Sequence, residues 1–343
     1  MTMLTAAPLD GATEKLVPLR RIFLTGGSGY VGRNLIRHFR RRDVEVVALV
    51  RSAGSAERVR ALGAKPWLGD LLNPDIAAGM AGCDVLIHAA ADTDHGPGSG
   101  EQTRVNQEGT RVVFEAARAA GLRRGILIST ESVLADGRPL VHVDETAPLP
   151  RRPAGNYSRS KAAAERMALA AGGPGFEVVV LRPRLVWGRD DTTALPQLCA
   201  AARSGKFAWI DGGGYLTSTT HIANLSVAVE LALRKGRAGE VYFVSDGEPV
   251  AFRAFVSRLL ETQGIVPTGK TVSRRLLRVV ASLGDVAATL SGGRIKPLLT
   301  LQAYATSAVE ITLDIGKARR ELGYAPVMSR EEGLAELRSG QHW

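Results

Sequence analysis

Cysteine is nearly missing from this chain: Cys83 and Cys199 are the only two in 343 residues. Two cysteines exclude a disulfide framework, and no metal-site spacing accompanies them. They are expected as buried thiols in a reducing, cytoplasmic setting. Long apolar runs are missing too: no stretch of about 18 uncharged apolar residues exists, so no membrane span is expected. Residues 1–19 hold Asp10, Glu14 and Lys15 and lack the apolar core of a signal peptide, so they read as a loose N-terminal tail. Aromatic residues make up 5% and do not interleave with a basic strip. The excess of 44 Lys+Arg over 34 Asp+Glu gives +10, which can attract phosphorylated ligands. The basic residues are dispersed, so a plain basic surface is expected in place of a nucleic-acid site.

What is present is length enough for one large α/β unit, alone or with a small lobe. A glycine-rich stretch, R-R-I-F-L-T-G-G-S-G-Y-V-G, runs from Arg20 to Gly32. Ile22, Phe23 and Leu24 form the short apolar run of a buried strand. Gly26, Gly27, Gly29 and Gly32 follow, and Arg33–Arg42 can continue as a helix. Gly27-x-Gly29-x-x-Gly32 between strand and helix fits the dinucleotide fingerprint. Glycine serves there for a tight turn, for a pyrophosphate to approach the backbone, and for close helix–strand packing. The helix start adds free N–H groups and a positive dipole end. A plain glycine-rich turn is the competing reading.

Glu45–Val50 reads as a second strand. In NAD-preferring sites an acid about 20 positions past the glycines takes the ribose hydroxyls. Here the strand ends in Val50-Arg51-Ser52. With no carboxylate to repel a 2′-phosphate, and Arg51 and Arg33 placed to bind one, NADP(H) is favoured; NAD(H) stays possible. Asp70 and Leu71 close a third strand, where Asp70 either accepts from an adenine amino group or caps the next turn. Asp84–Ala91 is the fourth strand. Its small end, Ala89, Ala90 and Ala91, leaves room for a cofactor over the strand's carboxyl end. His88 inside it reads as a satisfied core histidine. His95 sits in the glycine-rich loop 92–100, which argues against a chemical role. Gln102–Ala120 reads as one long helix with Asn106 a turn inside it. Arg124–Thr130 is the fifth strand and runs into Glu131, Ser132 and Val133. Residues 134–156, with four prolines, read as a loop.

An alanine-rich helix then starts at Tyr157. Tyr157 and Lys161, four apart, lie on one face of it. A phenol has a reference pKa near 10. A nearby ammonium, with the positive nicotinamide of an oxidised cofactor, favours phenolate and lowers that value. Such a tyrosine can trade a proton with an alcohol or carbonyl as hydride moves. A hydroxyl from Thr130 or Ser132 would hold the substrate oxygen. A surface Tyr/Lys pair is the bland alternative.

Together these motifs resemble the extended short-chain dehydrogenase/reductase superfamily, over nearly all of residues 20–335. The chain looks most like its 3β-hydroxysteroid dehydrogenase and dihydroflavonol reductase branch. Thr25-Gly-Gly-Ser-Gly-Tyr30-Val31-Gly32 resembles T-G-x-x-G-x-x-G, and Tyr157-x-x-x-Lys161 resembles Y-x-x-x-K. The resemblance implies an α/β Rossmann fold: a doubly wound, mainly parallel seven-stranded sheet with a smaller C-terminal substrate lobe. Residues 20–188 would form the dinucleotide-binding and catalytic core. Residues 189–343 would form mainly the lobe, with 221–249 returning to the core. S-T-E-S-V at 129–133 resembles S-[ST]-x-x-V-Y-G, which puts Thr130 at the catalytic hydroxyl. Leu134 replaces the usual tyrosine and the glycine is displaced to Gly137, so Ser132 stays a competitor. Asn106, in V-N-Q-E-G-T, is implied to support the active-site backbone. Phe176–Gly188 resembles L-R-P-x-x-V-Y-G, which places Pro183, Leu185 and Val186 beside the nicotinamide. His221 reads as structural. The resemblance also implies a homodimer through the helices holding Asn106 and Tyr157.

Three functions follow. The favoured one is an NADP(H)-dependent oxidoreductase interconverting a secondary alcohol and a ketone on a bulky, fairly apolar small molecule. The alternative is a nucleotide-sugar epimerase or dehydratase that retains NAD. Thr130-Glu131 resembles part of the dehydratases' T-D-E, but Ser132 replaces the last acid. A non-catalytic cofactor sensor is the third, disfavoured by the intact Tyr157–Lys161 pair. Trp187, Trp209, Tyr215 and Leu195 either line a substrate face or pack ordinarily. The apolar segment 272–300, interrupted by Arg274, Arg275, Arg278 and Asp285, could pack, lie on a membrane or cap the pocket; packing is the default expectation.

Overall fold

The computed structural model describes residues 19–94, 99–291, 294–295, 297 and 299–340. Residues 1–18 of the expected tail, and His95, lie outside them.

Seven strands form the central sheet: β1 (Arg21–Thr25), β2 (Glu45–Val50), β3 (Lys65–Leu68), β4 (Val85–His88), β5 (Arg124–Ile128), β6 (Glu177–Pro183) and β7 (Val241–Val244). Every pairing in it is parallel, in the order β7-β6-β5-β4-β1-β2-β3. Parallel strands covered on both faces need near-continuous apolar runs, and Ile22-Phe23-Leu24 and Val178–Leu181 supply them, all buried. On one face lie α1 (Tyr30–Arg40), α2 (Ala53–Arg60) and, further along, Ile222–Lys235, contributing Leu35, Val59 and Leu225. On the other lies α3 (Gly109–Ala119), contributing Val113 and Phe114. The strand order reverses between β1 and β4. In open α/β sheets the crevice at such a reversal, beyond the strands' carboxyl ends, is where ligands bind.

A second lobe has its own core of Trp187, Trp209, Phe255 and Leu260. Trp187, Trp209 and Leu195 are therefore packing residues, all buried. The lobe's main sheet takes Leu140–Val143 as an edge strand beside Ile311–Leu313. Those four residues were expected in a loop. Local sequence, crowded with prolines, carries no strand signal for them; the partner strand arrives some 170 positions later. The expected helix 102–120 is also interrupted. A π-turn at Arg104–Glu108 separates a short helix, Gly100–Thr103, from α3.

Candidate active site

The glycine loop meets β4 at the reversal point. Gly26 has φ +73°, and a Cβ there would lie 2.7 Å from the Ala90 nitrogen; a Cβ on Gly32 would lie 2.1 Å from the Gly26 carbonyl oxygen. Both positions demand glycine. Gly29 is different: only the Gly26 oxygen, at 3.3 Å, stands near where its Cβ would be. It begins α1 with no capping side chain, and the first turn holds no acid. A helix start without a capping side chain fits a pyrophosphate.

Behind the loop runs a buried polar chain. Thr110 donates to the Asn106 carbonyl at 2.7 Å, so its oxygen accepts from His88 Nε2–H at 3.0 Å. His88 Nδ1 then accepts from the Thr25 hydroxyl at 2.7 Å, and the Thr25 oxygen accepts from Ala90 N–H. The bonding pattern selects the Nε2–H tautomer. Burial, then the Lys161 charge, push His88 down to about 3. His88 is thus a neutral link tying the glycine loop and Ala90 to the π-turn. At that turn Asn106 Oδ1 accepts from Asp92 N–H at 2.8 Å, while its amide donates to the Asp92 carbonyl and to Ser160, both at 3.0 Å. The π-turn is what aims Asn106 at both.

Helix α4 (Asn156–Ala171) brings the candidate chemistry. Lys161 is buried and donates to the Ile128 carbonyl, at the end of β5, at 2.8 Å. Burial lowers its ammonium to about 8, while Glu165 one turn on opposes the shift. Tyr157 is half-buried. Burial, and next the Glu131 charge, raise its phenol above the ordinary value; a hydrogen bond with Thr130 works the other way. Thr130 also accepts from the Ser132 N–H at 3.1 Å and donates to Glu131 at 2.9 Å. Of the two candidate hydroxyls, Thr130 meets the phenol and is half-exposed, whereas Ser132 is buried.

Two buried ion pairs flank this group and were missed from sequence. Glu131 pairs with Arg184, which also donates to Thr217 at 3.2 Å and to the Thr306 carbonyl at 3.0 Å. Glu165 takes a two-pronged contact from Arg182, at 2.9 and 2.6 Å, and a hydrogen bond from Ser129. The i, i+4 spacing of Lys161 and Glu165 was a usable signal for the second pair. Nothing local marks the first. Leu185, next to Arg184 in the chain, holds φ +39°, a region that non-glycine residues rarely enter. Leu185 and Val186 are half-buried and Pro183 is buried.

Asp70 is exposed and accepts from Leu72 N–H at 2.9 Å, so it caps its turn; half-buried Leu71 packs against the second core. His221 caps the helix Ile222–Lys235 by accepting from Ala223 N–H at 3.2 Å. The expectation of NADP(H) is corrected. Arg33 is drawn away from any 2′-phosphate, donating to the Asp190 carbonyl at 3.0 Å with its Nε 3.9 Å from the Asp190 carboxylate. That leaves only exposed Arg51 on the loop after β2.

Comparison with known proteins agrees with this geometry. The model of the 3-beta hydroxysteroid dehydrogenase/isomerase family matches residues 23–274. The chain belongs to that family, within the extended short-chain dehydrogenase/reductases. It is an NAD(P)-dependent dehydrogenase/reductase acting at a CH–OH or ketone group of a small organic molecule. A 4-hydroxy-2-methyl-3-oxo-4-farnesyl-3,4-dihydroquinoline-1-oxide ketoreductase of Stigmatella aurantiaca is 50% identical over 93% of this chain and 96% of its own. A 2-alkyl-3-oxoalkanoate reductase of Stenotrophomonas maltophilia is 32% identical over 93% and 98%. The dTDP-glucose 4,6-dehydratase of Streptomyces venezuelae, solved with NAD bound, shares the fold with a TM-score of 0.72 at 24% identity, over 93% of this chain and 96% of its own. Further solved structures of this fold also carry NAD, and this is the finding that overturns the NADP(H) expectation.

Proposed function

We propose that this family member reduces a ketone on a bulky, fairly apolar substrate to a secondary alcohol, with NAD(H) as cofactor. The observation that carries the reading is the grouping of half-buried Tyr157 with the Thr130 hydroxyl and, one turn along the same helix, the buried Lys161. A protonated phenol is a proton donor, the form that reduction requires. The glycine loop and Pro183–Val186 would hold the cofactor, whose chemistry when bound would be hydride donation to a carbonyl carbon. Thr130 holds the carbonyl oxygen, and Tyr157 delivers its proton to that oxygen, so the product is the neutral alcohol. The phenolate left behind is favoured by the Lys161 ammonium, and the Ile128 carbonyl keeps that ammonium in place. The ketoreductase and oxoalkanoate reductase relatives, one named for a farnesyl group and one for an alkyl group, support a carbonyl beside an apolar chain.

A second reading is a nucleotide-sugar epimerase or dehydratase that keeps NAD bound. The NAD in the solved structures speaks for it more directly than for a reductase, and Glu131 sets a carboxylate beside Thr130. One experiment separates the two. Nicotinamide absorbance is followed with NADH and with NADPH against β-keto esters and prenylated ketones, and then with nucleotide sugars and product analysis. Net NADH loss matched by alcohol is the expected result. Sugar conversion without net loss of cofactor would establish the second reading.

A further inference from the structure

Helix α4, which carries Tyr157, begins without a cap of its own. Its N-cap position is Gly155, with no side chain to accept from the first-turn N–H groups. Those groups have no partner inside a helix, and where they are buried they need an acceptor from elsewhere. The N–H of Ser158, the third helical residue, is one of them, and Ser158 is fully buried. Its acceptor comes from 144 positions away: the Gln302 side-chain oxygen, at 3.1 Å. An N-cap side chain makes this same bond, to the second or third N–H of its own helix. Gln302 therefore does from the lobe what a serine at 155 would do from within the helix. The space available shows the same exchange. A Cβ on Gly155 would lie 2.5 Å from the Gln302 Cβ and 2.6 Å from its Oε1. The chain can hold a capping side chain at 155 or at 302, and not at both.

Gln302 is a poor choice for packing alone. It is 1% exposed, and its Nε2 has no hydrogen-bond partner among the described residues. A buried amide with unpaired hydrogens costs stability, so the bond to Ser158 is what its side chain contributes. The segment that carries it is held at both ends. Gln302 lies in the short helix Leu301–Ser307, whose start Thr300 caps by accepting from Ala303 N–H at 3.1 Å. Near the other end the Thr306 carbonyl accepts from Arg184 at 3.0 Å. Arg184 pairs with Glu131, which in turn accepts from Thr130. One piece of the lobe thus reaches both halves of the candidate site, the Tyr157 helix at one end and the neighbour of Thr130 at the other.

We propose that Gln302 is a positioning residue: it caps the Tyr157 helix from the lobe and so fixes where the phenol stands against Thr130. Tyr157 lies between Gly155 and Ser158, the two residues that Gln302 covers. Fraying of that first turn carries the phenol with it, and small misplacements of a reacting group are costly to rate. The effect on turnover rests on the proposed reductase, whereas the cap does not.

The cap is read with no substrate present, by hydrogen exchange at the Ser158 amide of the full chain. Gln302→Leu keeps the bulk and removes the acceptor. Exchange should quicken roughly tenfold, while thermal unfolding stays near that of wild type, because the variant also removes the unpaired amide. With a ketone that the protein turns over, kcat should fall about tenfold while KM stays within about twofold. Gln302→Gly should quicken exchange in the same way, and Gly155→Ser alone should too, since its side chain meets Gln302. Combining Gly155→Ser with Gln302→Gly should bring exchange and kcat back to within about threefold of wild type, the new serine capping its own helix. Unchanged Ser158 exchange in Gln302→Leu overturns the proposal, as does a double variant no better than Gln302→Gly. Quickened exchange with kcat unchanged also overturns it and makes the cap purely structural. A wild type that turns over no ketone removes the reductase reading, and the exchange pattern then decides the cap by itself.

Discussion

Two helices of this protein are turned opposite ways. The helix Asn156–Ala171 faces its charged and hydroxyl groups inward: Ser158, Ser160, Lys161 and Glu165 are all buried. The helix Arg274–Leu290 faces Leu276, Val279, Leu283, Val286 and Leu290 outward. In the first, the inward charges have fixed partners, Ile128 for Lys161 and Arg182 with Ser129 for Glu165. In the second, Ala281, Gly284 and Ala288 meet the body together with half-buried Leu277 and the inward Asp285. A buried charge is tolerable when its lone pairs and protons are satisfied, and it is retained where chemistry or specificity needs it. An exposed stripe is tolerable when something else covers it. The difference separates a helix built around buried, partnered charges from one that presents an apolar face to solvent.

The largest expected effect tests the inward helix at its reactive end. Tyr157→Phe should lower kcat for ketone reduction by roughly 10²–10⁴ while leaving NADH binding, read by fluorescence titration, unchanged. Retained turnover would remove the proton-donor role. Next, Glu165→Ala leaves Arg182 buried and unpaired. It should cost about 3–5 kcal/mol in denaturant unfolding, with Lys161 losing its nearest counter-charge. A loss near zero would mean that water enters and solvates the arginine. Thr130→Ala should depress kcat more than Ser132→Ala, because Thr130 is the one bonded to the phenol; the reverse order would move the substrate hydroxyl to Ser132.

Acid stability follows from His88. Its folded value, about 3, lies below the ordinary 6.5, so the unfolded chain binds the extra proton between those limits. Stability from this group is complete above about pH 6.5 and falls as pH drops toward 3, by up to roughly 4 kcal/mol. His88→Asn should flatten that slope in unfolding measured from pH 7 to pH 4; an unchanged slope would place the acid sensitivity elsewhere. The smallest effect belongs to the outward helix. Leu283→Ser should change stability within about 0.5 kcal/mol, and a loss of several kcal/mol would show that the side chain packs after all.

The fold and the placing of Tyr157 and Lys161 on one helix were legible because their signals are local. A strand–glycine–helix sequence and an i, i+4 pair need no knowledge of topology. The partners of the buried charges were not. Glu131 meets Arg184 from 53 positions away, across strand ends that become neighbours only once the sheet is ordered. The π-turn at Asn106 has no composition of its own. The Arg274–Leu290 helix was visible as part of an apolar segment, 272–300, interrupted by charges, which leaves open which side chains meet the body.

The central claim is that Tyr157 rests protonated, as the acid of a reductase. Ultraviolet difference titration of wild type against Tyr157→Phe, in the absence of cofactor, measures it directly. The account predicts no phenolate from Tyr157 up to about pH 10, the ordinary phenol value. A phenolate attributable to Tyr157 that appears near pH 8 would contradict it and make the residue a base before any cofactor binds.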